Sequence, residues 1–194
     1  MSEELEEAET TLSEPERAAL LALAREALAA HLDGRSPPEL DARTETPLLL
    51  APGAAFVTLR TGGELRGCIG TTRFERPLRE VVQELAVSAA TADRRFDSIR
   101  ADELGDVAIG ISVLTPLEPA RLDAIEIGRH GLVVRARGRS GLLLPQVASE
   151  RGWDARTFLA ETSRKAGLPP DAWSLPEAQV FWFTAERFSE DGLE

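Results

Sequence analysis

The chain has 194 residues, 43% of them apolar, a single cysteine and a formal net charge of −11. That length suits one domain or two closely packed lobes, and the apolar content is ample for a core. One cysteine excludes an intrachain disulfide and every multi-cysteine zinc or iron–sulfur site, the acidic balance disfavours nucleic acid, and no apolar run nears the roughly 20 residues that span a bilayer.

The N-terminus is acidic and lacks an apolar signal stretch, so the expected location is cytoplasmic. Glu3, Glu4, Glu6, Glu7 and Glu9 mark residues 1–12 as an acidic, solvated tail ahead of one domain over 13–190. Ser13-Glu14-Pro15-Glu16 is a capping-box start for a helix that runs to about Leu32 and stops near Gly34. Residues 34–54 are rich in proline and charge and read as an irregular connection. Phe56 to Leu59 and Leu65 to Gly70 read as two strands joined at Gly62-Gly63, because glycine takes the positive φ of a tight hairpin turn without strain. Pro77 opens a second helix to about Ala92, with Leu78, Val81, Val82, Leu85 and Ala89 in one stripe. Asp102 to Gly105 form a short turn or cap, and Val107 to Leu114 an apolar strand stopped by Pro116. A second hairpin is predicted at Leu132 to Arg137 and Leu142 to Leu144, turning through 138–141 and ended by Pro145. Asp154 to Ala166 is a third helix stopped by Gly167, and Gln179 to Thr184 a final strand. Antiparallel hairpins interleaved with helices argue for the α+β class: an antiparallel sheet flanked by helices.

The sharpest chemistry lies in Leu65-Arg66-Gly67-Cys68-Ile69-Gly70. Alternation along a strand puts Leu65, Gly67 and Ile69 on one face, with Leu65 and Ile69 pointing into a core, and Glu64, Arg66, Cys68 and Gly70 on the other. A thiol beside a guanidinium, between glycines that let a ligand approach, is a candidate reactive or ligand-binding site. The alternative is a cysteine that is a small buried hydrophobe, in a strand whose glycines mark only a bulge or a bend. Asp93 and Arg95 stand at the end of the second helix, where Arg95 either pairs locally or joins Arg66 in binding an anion. His130, in a turn before a strand, is the histidine placed to act as a base for Cys68; His31, near the end of the first helix, reads as structural. Gln146 follows an apolar strand and either contacts a ligand or caps a helical turn. Trp173, Trp182 and Phe183 read as core. No P-loop, dinucleotide fingerprint or nucleophile elbow is present, and no cofactor or metal is expected.

Leu65 to Gly70 is similar to the hallmark hexapeptide of the AMMECR family. Further matches follow in order: Phe56 to Leu59, Asp93 with Arg95-Phe96, Ser112 to Pro116, Gly128 with His130-Gly131-Leu132, Gly141 to Val147, and Lys165 to Leu168 with Trp173. The resemblance implies a two-lobed α+β fold with a cleft beside the hexapeptide. In bacteria and archaea it also implies a place in the AmmeMemoRadiSam system, beside a Memo-like protein related to iron-dependent dioxygenases and a radical S-adenosylmethionine enzyme. It supplies no reaction. Ser163 departs from the cysteine of many relatives, so a thiol mechanism rests on Cys68 alone. Two functions follow: a site for a small anionic ligand or substrate built on Cys68, Arg66, Gly67, Gly70, Asp93, Arg95, Gln146 and His130, or a non-catalytic adaptor in which the hexapeptide is structural.

Overall fold

The structure, a computed structural model, describes residues 11–39 and 41–192. Most of the acidic tail expected over 1–12 lies outside the described residues. Leu12, assigned to that tail, is instead buried, and its N–H donates to the Glu186 carboxylate at 2.9 Å.

In chain order the helices are α1 (Glu14–Leu32), α2 (Pro47–Leu50), α3 (Leu78–Thr91), α4 (Pro145–Glu150) and α5 (Ala155–Lys165). The strands are β1 (Ala54–Thr61), β2 (Glu64–Gly70), β3 (Val107–Leu114), β4 (Glu118–Pro119), β5 (Gly131–Ala136), β6 (Arg139–Leu143), β7 (Gln179–Phe183) and β8 (Ala185–Ser189). They form two four-stranded sheets, ordered β2-β1-β3-β8 and β4-β7-β5-β6. The α+β class predicted from the sequence is the observed one. The chain divides into two compact units, one made of the chain up to Ser112 together with Glu186 onward, the other of Val113–Ala185.

In the first unit, α1 begins at its capping box. The Glu16 carboxylate accepts from the Ser13 N–H at 2.8 Å and the Ser13 hydroxyl at 2.7 Å. Its other oxygen accepts from the Thr46 hydroxyl at 2.6 Å, and Thr46 in turn caps α2. These bonds favour the ionised carboxylate, so Glu16 titrates below its usual range although it is buried. Helix α2 lies inside the segment predicted to be irregular; four residues are too few to show a helical period, and Thr46 with Pro47 supplies its start. The β1–β2 hairpin turns at Gly62 and Gly63, at φ of 58° and 84°, the conformation that the Gly-Gly pair predicts. Helix α3 packs its stripe on β1 and β2 and also contacts α1. Burying each of its Leu and Val side chains contributes about 2 kcal/mol.

In the second unit, β5 lies between β6 and β7, antiparallel to both. Leu132, Ala148, Phe158 and Leu159 form its core, with Trp153, Trp173 and Trp182 packed against it. Helix α4 is a second short element beyond the predicted ones, begun by Pro145. The strand predicted at Gln179 to Thr184 is followed directly by another, β8, which belongs to the other sheet; Thr184 alone separates them, and one residue gives no turn signal. Among the described residues no helix is long and apolar enough to cross a membrane.

Candidate functional site

Strand β2 is an edge strand, bonded to β1 alone, so alternate backbone groups need partners from outside the sheet. The turn after α3 supplies one of them. The Asp93 carboxylate accepts from the Cys68 N–H at 2.9 Å. The same carboxylate accepts from the Arg95 N–H at 3.2 Å, from Arg95 Nε at 2.9 Å and from Arg95 Nη2 at 2.7 Å. The Asp93 side chain is 6% exposed and that of Arg95 is 54% exposed. A buried carboxylate with four donors remains an anion: its bonds to Arg95, against the cost of burial, hold Asp93 far below the usual carboxylate range. Asp93 is therefore an acceptor and a positioning group, not a proton donor.

Arg95 is fixed by this fork. Asp93 raises its pKa first of all, and the Cys68 sulfur adds a smaller contribution of the same sign. Two of its nitrogens face Asp93, its carbon lies 5.4 Å from the centre of the Phe96 ring, and the remaining nitrogen, Nη1, has no bond among the described residues. Cys68 is half-buried, and its sulfur accepts from the hydroxyl of its cross-strand partner Thr58 at 3.4 Å. A half-exposed cation, fixed by a buried anion, thus stands in the neighbourhood of the only thiol.

The other residues of the hexapeptide do different work. Arg66, expected to face a ligand, is a clamp: it donates to the carbonyls of Asp97 and Ser98 and pairs with Glu103 at 3.1 Å. Its guanidinium has three acceptors within reach, which removes it as an open anion contact. Gly67, also expected at a ligand, faces α3. A Cβ there would stand 2.1 Å from the Ala89 carbonyl oxygen, so only glycine lets the last turn of α3 rest on β2. Gly70 lies under the ring of its cross-strand partner Phe56, 2.2 Å from where a Cβ would be. Leu65 and Ile69, expected in the core, are only half-buried, and it is Gly67 that is fully covered.

His130 and Gln146 belong to the second unit. His130 is buried, stacked on Trp182 at 4.5 Å between ring centres, and its Nδ1 accepts from the Glu126 N–H at 3.0 Å. The lone pair a base needs is occupied, and burial pushes its pKa down. Gln146 lies in the first turn of α4, and its Oε1 is buried with no partner among the described residues. Among the described residues no three His, Cys, Asp or Glu side chains converge as metal ligands.

The AMMECR1 family model matches residues 21–188. The chain belongs to the AMMECR1 family. It is 43% identical to a protein of Methanothermobacter thermautotrophicus over 192 residues, 93% of this chain and 97% of that one. It is 43% identical to a protein of Methanopyrus kandleri over 185 residues, covering 90% and 88% of the two chains. The crystal structure of an uncharacterized protein from Pyrococcus horikoshii superposes with a TM-score of 0.86 at 38% identity, covering 93% of this chain and 94% of that one.

Within this AMMECR1 domain, sequence reasoning missed Thr58, Glu103 and Phe56. Strand pairing from the Gly62-Gly63 turn could have found Thr58, since the register places it opposite Cys68. Glu103 had no such signal: it lies 37 residues from Arg66 and meets it through tertiary packing.

Proposed function

We propose that this AMMECR1-family protein binds a small anionic ligand on its first unit, with Arg95 as the anion contact and Cys68 as the neighbouring soft contact or nucleophile. One observation carries the reading: the buried Asp93 carboxylate holds both the Cys68 N–H and the Arg95 fork, so cation and thiol are fixed by one group. A guanidinium held on one edge offers its other edge to a carboxylate or phosphate at little further ordering cost. The Thr58 hydroxyl donates to the sulfur at 3.4 Å and orients it on this face of the strand. The test is native mass spectrometry of the protein taken from its own cells. A retained acidic metabolite or a Cys68 adduct, absent in Arg95→Gln, supports the reading; a bare chain mass in both contradicts it.

The proposal extends to partners. The protein acts beside a Memo-like protein and a radical S-adenosylmethionine enzyme, either passing on its ligand or serving them as an adaptor. The adaptor reading is favoured by one feature, the use of Arg66, Gly67 and Gly70 for packing. It expects copurification with those partners that survives Cys68→Ser, whereas the ligand reading expects Cys68→Ser to abolish the adduct.

A further inference from the structure

The turn before β5 is closed by a ring of two hydrogen bonds between the same two residues. The His130 N–H donates to the Glu126 carbonyl at 3.0 Å, and the Glu126 N–H donates to His130 Nδ1 at 3.0 Å. The second bond fixes the chemistry of the imidazole. An Nδ1 that accepts carries no proton, so the ring is neutral with its hydrogen on Nε2. Adding a proton at Nδ1 would bring two N–H groups face to face, and the bond cannot survive it.

We propose that residues 126–130 form an acid-released latch, closed by neutral His130 and opened when Nδ1 takes up a proton. On the imidazole's own turn are Glu126 and Arg129, which pair with each other at 3.4 Å. From β7 comes the uncharged Trp182, whose Nε1–H reaches the Glu118 carboxylate of β4 at 3.4 Å. From α4, Ser149 stands against Gly128, its Cβ 3.6 Å from where a Gly128 side chain would begin. Gly128 itself has φ of 87°, a conformation that glycine takes freely. Among the described residues no carboxylate bonds to the imidazole; burial opposes its cation most, the Glu126 charge favours it and the Arg129 charge opposes it.

The direction follows. The pKa in the closed turn lies below the ordinary value of 6.5, so the closed form binds fewer protons than the open one. The latch is therefore fully closed above that ordinary value and is lost as pH falls through the lower, folded value. Opening frees the turn between Ile125, which packs on the core of this unit, and Gly131 at the start of β5. The latch is independent of the ligand site on the first unit, so failure of one leaves the other standing.

The test is nitrogen-15 NMR of the full chain through a pH titration. His130 is expected to show a bare Nδ1 and a protonated Nε2, and to titrate below the ordinary histidine value of 6.5. The protection of the Glu126 amide, corrected for intrinsic exchange, should fall about tenfold across that titration, as one lost buried hydrogen bond implies. Two variants separate the latch from general acid sensitivity. His130→Asn places an amide oxygen where Nδ1 stood and cannot titrate, so it should keep Glu126 protected through the acid range. His130→Gln reaches the Nε2 position instead and should leave the amide unprotected at neutral pH. A proton found on Nδ1 at neutral pH, a Glu126 amide indifferent to the titration, or an Asn variant that still opens in acid would overturn the proposal.

Discussion

Strands β2 and β6, one in each unit, carry the same packing device. In β2, Gly67 faces the Ala89 carbonyl oxygen in the last turn of α3; in β6, Gly141 faces the Thr162 carbonyl oxygen and the Ala166 nitrogen at the end of α5. Each sheet also sets a glycine beneath the ring of its cross-strand phenylalanine: Gly70 under Phe56, and Gly131 under Phe183. The difference is in what surrounds the device. At the α5 contact of β6 these polar groups are satisfied locally: the Thr162 and Ser163 hydroxyls donate to the carbonyls of Phe158 and Leu159, and Arg139 to the Gly167 carbonyl. Around β2, Cys68 and the outer edge of Arg95 remain available. The glycines thus report helix-on-strand packing in both units, and chemistry is read from the groups that packing leaves over.

The largest expected effect tests that equivalence. Gly67→Ala and Gly141→Ala each place a methyl against helix backbone, at 2.1 Å from oxygen and 2.3 Å from nitrogen, and backbone cannot turn aside. Each should lose about 3 kcal/mol or more in urea unfolding, the upper range for overpacking. A Gly67→Ala protein of normal stability would show that this glycine serves a ligand after all.

Asp93→Asn comes next. It removes a buried charge that accepts from the Cys68 N–H and the Arg95 fork, and should cost about 2 kcal/mol. Because the folded pKa of Asp93 is depressed, its contribution is complete above the ordinary carboxylate value of about 4 and is lost as pH falls below it. Unfolding curves from pH 6 downward should therefore be steeper in wild type than in Asp93→Asn, and equal slopes would count against the assigned pairing.

The smallest effect separates the two glycine–phenylalanine pairs. Phe183 is buried and Phe56 only partly so. Gly131→Ala should cost about 2 kcal/mol, because its ring has nowhere to go, and Gly70→Ala less than about 1 kcal/mol, because its ring can swing outward. Thermal melts of the two variants check the order.

Much of the fold was legible in the sequence. The Gly62-Gly63 turn, the stripe of α3 and the start of α1 each rest on a local signal, and each stands where predicted. The β5–β6 hairpin forms too, but it turns at Arg137-Gly138, and Arg139 to Gly141, predicted to be its turn, pair within β6 instead. The short helices α2 and α4 were not legible, since four and six residues show no period. The candidate site was legible by residue type and not by the contacts each residue makes. Cys68, Asp93, Arg95 and Arg66 could all be named. That Asp93 holds the Cys68 N–H could not, because the two are 25 residues apart and a bond to backbone leaves no mark on residue identity. The role of His130 turned in the same way on which ring nitrogen its own turn occupies.

The central claim is that a small anion binds beside Cys68 through Arg95, and the sole thiol reports on it directly. The measurement is the rate of Cys68 alkylation by iodoacetamide at neutral pH, with and without phosphate or acetate, in wild type and in Arg95→Gln. The account predicts that the anions slow the reaction in a saturable way in wild type and lose that effect in Arg95→Gln. Equal alkylation rates with and without anion in wild type, or the same protection in both proteins, would contradict it.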